Sequence, residues 1–242
     1  MSTIVELSNL ASSLDLVGKD KRNHVSIVGG GGKTTLLHAF GEQLQGRTVL
    51  TSTTKMGIDQ HRDLPVYFNP EDETIQNISP GKPIVVWQEI KGEKAIGIDR
   101  TTCDRWFGLV DNLVVEADGS RRLPFKAPAD FEPVVPNSST LMISTIGADA
   151  LGRTINASCH RPQRVAEFAE CELSEPLTPE RAARVILHPE GQRRANPSQS
   201  KFCVAITKVH DRNIGNVEEL IGELRLIDTN VHVLAIAFSS TV

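Results

Sequence analysis

The sequence predicts a three-layer α/β fold: a mostly parallel sheet with helices on both faces and a small β-hairpin insertion. Three observations lead there. Short β-branched runs alternate with amphipathic segments along the chain. The run at 24–28 ends on four glycines, then Lys33, Thr34 and a helical pattern. The apolar run at 112–117 ends on Asp118 and Gly119.

The elements follow in order. Residues 1–20 read as an N-terminal helix and its polar exit: Thr3 and Glu6 have capping-box spacing, and Leu7, Leu10 and Leu14 share a face over 3–17. A strand is expected at 24–28. The helix at 33–44 turns Leu36, Leu37, Phe40 and Leu44 inward, and a strand at 48–53 follows it. Residues 84–98 read as the hairpin insertion, with Lys91-Gly92-Glu93-Lys94 at its turn. A helix at 101–110 and a strand at 112–117 precede a loop at 120–139 that carries Pro124, Pro128, Pro133 and Pro136. After a strand at 141–145 come helices at 164–171 and from Thr178, the latter with Thr as N-cap and Pro179 in first position. Residues 191–200 are polar and expected to be mobile. A strand at 202–207, a helix at 216–226 and a strand at 231–237 close the chain, read as one domain over 1–242.

The composition narrows the function. The 242 residues are 39% hydrophobic and 23% charged, an ordinary globular balance. A net charge of -4 argues against nucleic acid as partner. No apolar run approaches the roughly 18 residues of a membrane span. Residues 1–16 lack a basic leader and apolar core, so the expectation is a cytoplasmic protein without a membrane partner. Cys103, Cys159, Cys171 and Cys203 form no C-x-x-C pair and are expected to be buried thiols.

The chemistry concentrates at strand ends. Gly29, Gly30, Gly31 and Gly32 let successive backbone N–H groups turn around phosphate oxygens, with the positive end of the next helix behind them. Lys33 would reach the outer phosphates, Thr34 would place a hydroxyl on Mg2+, and Thr35 continues the turn. The fold class is therefore P-loop NTPase-like, with ATP or GTP as cofactor. The long G-x-x-x-x-G-K-[ST] spacing is not met, because Ile27 stands at its first glycine. The shorter G-x-x-G-K-T is met, and it resembles the loops of the Mur ligases, which also use ATP.

Ligands of open parallel sheets sit beyond the carboxyl ends of the strands. After the second strand, Thr53 and Lys55 offer a hydroxyl and a cation. After the central strand, Glu116 and Asp118 lie two apart and share a face. This is a Walker-B position: Glu116 to hold the metal with Thr34, Asp118 to position a nucleophile, and Lys33, Glu116 and Asp118 as the catalytic set. Arg121, Arg122 and Lys126 can receive an anionic group of a second substrate. The late strand ends Thr207-Lys208-Val209-His210-Asp211, where Lys208 can lay its stem on a base. His160 beside Arg161 is the histidine best placed for a site. His24, His38 and His232, with Trp87 and Trp106, read as packing, and Arg193-Arg194 as a solvated pair.

Four blocks occur together: Val28-Gly-Gly-Gly-Gly-Lys-Thr-Thr35, Thr51-Ser-Thr-Thr-Lys-Met56, Val115-Glu-Ala-Asp-Gly-Ser120 continuing through Pro124–Pro128, and Phe131-Glu-Pro-Val-Val-Pro136. They resemble the selenium-dependent hydroxylase accessory proteins, the YqeC-like family. His160-Arg161-Pro162-Gln163 is similar to that family's short His-Arg-Pro segment. The resemblance implies a P-loop nucleotide-binding protein associated with maturation of molybdenum hydroxylases. It implies a hydroxylase or its cofactor-maturation proteins as partners; a selenium role follows from no residue here. Three functions stay open: an NTPase or phosphotransferase, a nucleotide-switched cofactor-delivery module, and an ATP-dependent small-molecule ligase.

Overall fold

The structure, a computed structural model, describes residues 4–238. Nine strands build the main sheet: β1 (Ile4–Glu6), β2 (Asn23–Gly29), β3 (Thr48–Ser52), β4 (Val66–Phe68), β5 (Ile84–Trp87), β6 (Asn112–Glu116), β7 (Leu141–Gly147), β8 (Lys201–Thr207) and β9 (His232–Ala237). Their order is β1-β9-β8-β7-β2-β6-β3-β5-β4, and every neighbouring pair is parallel.

Successive side chains of these strands go to opposite faces, so both faces need cover. On one face Ile27, Leu50, Val114, Ile143 and Ala205 pack on Leu36, Leu37 and Phe40 of helix α1 (Lys33–Gln43). On the other, Val49, Val86, Leu113 and Val115 pack on Cys103 and Trp106 of α2 (Arg100–Trp106). Farther along that face, Ile146, Val204 and Ile206 pack on α3 (Pro162–Ala169), α4 (Pro179–Leu187) and α5 (Ile214–Ile227). Each fully buried aliphatic side chain contributes about 1.5–3 kcal/mol. Thr178 caps α4 by accepting from the Arg181 amide at 3.2 Å, with Pro179 in first position as its sequence leads one to expect.

Four expectations need correction. The helix over 3–17 is not formed: Ile4–Glu6 are the edge strand β1 and only Leu10–Ser13 are α-helical. Pairing with Ala235–Ala237 gives this segment backbone partners that its sequence does not announce. Thr3 of the supposed capping box lies outside the described residues, and Glu6 ends the strand. The hairpin is smaller than 84–98. Ile84–Trp87 is buried on both faces and belongs to the main sheet. The hairpin itself is Glu89–Lys91 with Lys94–Ile96, joined by Lys55–Gly57 as third strand. The edge strand Val66–Phe68 was not foreseen. Residues 191–200 are a set of turns anchored by Gln192, which is buried, accepts from Ser144 and donates to the Lys126 carbonyl at 2.7 Å.

Among the described residues no helix is long and apolar enough to cross a membrane. Because all nine strands run the same way, the loops after β2, β3, β6 and β8 meet at one edge of the sheet, where the expected site residues lie.

Candidate functional site

The glycine loop joins the central strand β2 to α1. Gly31 has φ of +81°, and a Cβ there would sit 2.2 Å from the Gly147 amide nitrogen. At Gly30 a Cβ would sit 2.7 Å from the Leu123 carbonyl. The glycines are thus required by close packing of the loop between residues 123–125 and 145–147. Thr207, fully buried at the end of β8, donates to the Gly31 carbonyl and braces the loop from behind.

What the loop leaves open is its N–H groups. Gly29 donates to Asp118 Oδ2 at 2.9 Å and Gly30 to the Thr145 carbonyl at 3.0 Å. From Gly31 to Thr35 no N–H has an acceptor among the described residues; the first helical bond runs from Leu36 to Gly32, and no side chain caps α1. Helix N-termini normally find partners for such groups.

Lys33 folds back into the loop. Its Nζ donates to the Gly29 carbonyl at 2.8 Å and to Ser120 Oγ at 3.3 Å, and lies 3.5 Å from Glu116 Oε1 and 3.3 Å from Asp118 Oδ1. Burial opposes its charge, but Asp118 and Glu116 outweigh burial and hold the ammonium above its ordinary range. Thr34 Oγ1 donates to Glu116 Oε2 at 2.8 Å. The two carboxylates, expected on one face, both approach Lys33. They differ in access: Glu116 lines the cavity in front of the loop, whereas Asp118 is 2% exposed and engaged by Gly29, Lys33 and Lys126. Asp118 therefore braces the loop and lines neither of the two cavities.

Two cavities meet here. The loop cavity, about 270 Å³, is bordered by residues 31–35, Glu116, Lys94, Arg122 and Lys208. The neighbouring cleft, about 780 Å³, is bordered by Leu123, Phe131, His160 and Arg161. Lys55, Gly119 and Arg121 belong to both. Lys208 is paired with Asp149 at 2.7 Å, and its carbonyl accepts from Asn213 at 3.0 Å. Thr53 lines neither cavity; its hydroxyl donates to the Val134 carbonyl at 2.7 Å and ties the β3 loop to the proline-rich loop.

Lys126 is placed otherwise than its sequence suggests. It is 0% exposed, bound to Glu132 Oε2 at 2.6 Å, to the Gly119 carbonyl at 2.7 Å and to Asp118 Oδ2 at 3.2 Å, so it is not free to receive an anion. Arg161 Nη1 reaches the same Glu132 oxygen at 2.8 Å. Burial pushes the Glu132 carboxyl upward, but Lys126 and Arg161 outweigh it and hold the group below its ordinary value. His160, paired beside Lys126 between two short strands, is pushed down to about 4 by burial first, then by Arg161, Lys126 and Arg121.

Sequence reasoning missed Thr207, Asp149, Glu132, Gln192 and Phe131. Glu132 and Phe131 stood in a recognised block without a role. Nothing local marks the others, since their partners come from distant strands. Of the residues read as packing, His38 is buried and bonded to the Gln60 carbonyl at 2.7 Å, while Trp87 and Trp106 are in the core. Of the thiols, Cys103, Cys159 and Cys203 are buried and Cys171 partly so. Arg193 is exposed as expected, and it pairs with Asp228 at 2.5 Å and lies over the Phe202 ring.

Comparison with known proteins agrees with this reading of the blocks. No solved structure matches the chain. The Escherichia coli (strain K12) protein named "Uncharacterized protein YqeC" is 31% identical over 206 residues, covering 79% of this chain and 77% of that one. A family model described as YqeC protein matches residues 25–163, which hold the glycine loop, both acidic strand-end residues and the whole proline-rich loop. The chain belongs to the YqeC family.

Proposed function

We propose that the glycine loop binds the phosphates of a magnesium–nucleoside triphosphate, ATP or GTP, and that the protein is an NTPase or phosphotransferase. The observation that carries this reading is the row of unpartnered N–H groups from Gly31 to Thr35, opening on a cavity ringed by cations. The residues suit such a ligand. Lys33 is held protonated within reach of the loop. Thr34 and Glu116 already share a hydrogen bond and are the pair that would hold the metal. When bound, the ion would neutralise phosphate charge. Lys208 borders the loop cavity but not the cleft, which suits a base at that end and an acceptor at the other. The resemblance of the sequence blocks to selenium-dependent hydroxylase accessory proteins is what suggests an accessory step in molybdenum-hydroxylase maturation, with the hydroxylase or its cofactor-maturation proteins as partner.

A second reading is a nucleotide-switched delivery module with little turnover. The cross-links Thr53–Val134 and Arg122–Asp59 join the β3 loop region to the proline-rich loop, so both would move together. A small-molecule ligase is the third. The test is calorimetry of the full chain with Mg-ATP and Mg-GTP beside a phosphate-release assay. Lys33→Ala should weaken binding by at least about tenfold. Wild-type protein that binds neither nucleotide would end the proposal; binding without release in any condition would move it to the second reading.

A further inference from the structure

We propose that the 780 Å³ cleft is a second ligand site, built for a planar aromatic or heteroaromatic ring that carries a phosphate group. Its use as an acceptor site, in which an oxygen of the bound phosphate would take the γ-phosphoryl group as the bond to the departing nucleoside diphosphate breaks, rests on the nucleotide reading above; its occupancy does not.

Two independent features define the ligand. The first is a ring platform. Phe131 is 75% exposed, yet it stands at the lip of a cleft of small-molecule size and not on a convex surface. The guanidinium carbon of Arg161 lies 5.8 Å from its ring centre, and Glu132 holds that arginine in place. One side of the ring is thus set by a cation and the rest is open. Such a ring favours a flat partner, because aromatic pairs gain beyond simple area burial.

The second feature is charge. Around Asp118, the cations Lys33, Lys126 and Arg161 meet the carboxylates Glu116, Asp118 and Glu132, so this buried group is neutral within itself. Lys55 and Arg121 are outside that balance. Both are exposed, neither side chain makes an ion pair or hydrogen bond among the described residues, and both border the cleft and the loop cavity. Two uncompensated cations at one boundary suit a doubly charged phosphate, which arginine binds with paired donors. His160 adds no competing charge near neutral pH and offers a neutral ring nitrogen in the cleft wall. Ring at Phe131 and phosphate at Lys55 and Arg121 would direct the ligand toward the glycine loop.

The test uses phenyl phosphate, cyclohexyl phosphate and inorganic phosphate, titrated into the full chain by calorimetry and by saturation-transfer NMR. Phenyl phosphate should bind about tenfold tighter than cyclohexyl phosphate, its non-planar counterpart. Phe131→Ala should abolish that preference; the side chain is exposed, so the variant keeps its fold. Arg121→Gln should weaken both organic phosphates alike. Lys33→Ala should leave the preference intact. Equal binding of the two organic phosphates, or a preference that survives Phe131→Ala, overturns the proposal. A preference for phenyl over cyclohexyl phosphate without binding of Mg-ATP or Mg-GTP upholds this site and fails the nucleotide reading; binding of either nucleotide without phenyl phosphate binding does the reverse.

Discussion

Lys33 and Lys126 are both buried, both approach Asp118, and lie on opposite sides of it. Lys33 belongs to the glycine loop and borders a cavity, in reach of both Glu116 and Asp118. Lys126 belongs to the proline-rich loop and borders neither the loop cavity nor the cleft; Glu132, Asp118 and the Gly119 carbonyl take up its ammonium. The same side chain serves two ends. One ammonium is stored within reach of an open row of N–H groups. The other pins the crossover loop to the floor beneath the first. Position in the network, not burial or charge, separates the cavity-lining lysine from the bracing one.

The comparison breaks most readily at Lys126. Lys126→Ala leaves Asp118 and Glu132 buried without their shared cation, and should cost about 3–5 kcal/mol in urea unfolding. Lys33→Ala should cost visibly less stability while carrying the larger loss of nucleotide affinity. If the two variants unfold at the same urea concentration, the division of roles fails.

His160 sharpens the comparison by reporting the field of Lys126. Its folded value, about 4, lies below the usual 6.5, first through burial and then through Arg161, Lys126 and Arg121. The stability linked to this group is therefore present above 6.5 and lost as pH falls from there through about 4. In Lys126→Met, NMR titration of the His160 ring should show a value moved upward; an unmoved value means that burial alone sets it. The smallest effect belongs to Arg122, whose pair with Asp59 at 3.3 Å is largely exposed. Arg122→Ala should change stability by no more than about 0.5 kcal/mol.

The contrast also explains what was legible in the sequence. Interior strands such as 24–28 and 112–117, and the helix that starts at Lys33, announce themselves because the strands are rich in Val, Ile and Leu and because Leu36, Leu37 and Phe40 recur at helical spacing. The placement of Lys33, Thr34 and Glu116 follows from such local context. Lys126 does not, because its partners are chosen by tertiary packing and a lysine in a loop reads as solvated. Asp118 falls on the expected face beside Lys33 but is closed off from the cavities, since spacing gives a face and not an exposure. Ile4–Glu6 and Ile84–Trp87 were misread for a related reason. A strand of three or four residues holds too few periods to separate edge strand, hairpin arm and helix turn.

The edge strand has a further consequence. Ile4–Glu6 pairs with Ala235–Ala237, so the partner of this strand is synthesised 231 residues after it. A nascent chain stopped before residue 232 leaves β1 with no neighbour to bind. Closing that edge spans nearly the whole contour of the chain, a costly loop closure of the kind that slows folding. The sheet can assemble from its centre outward while synthesis continues. β1 joins it only after β9 has been released.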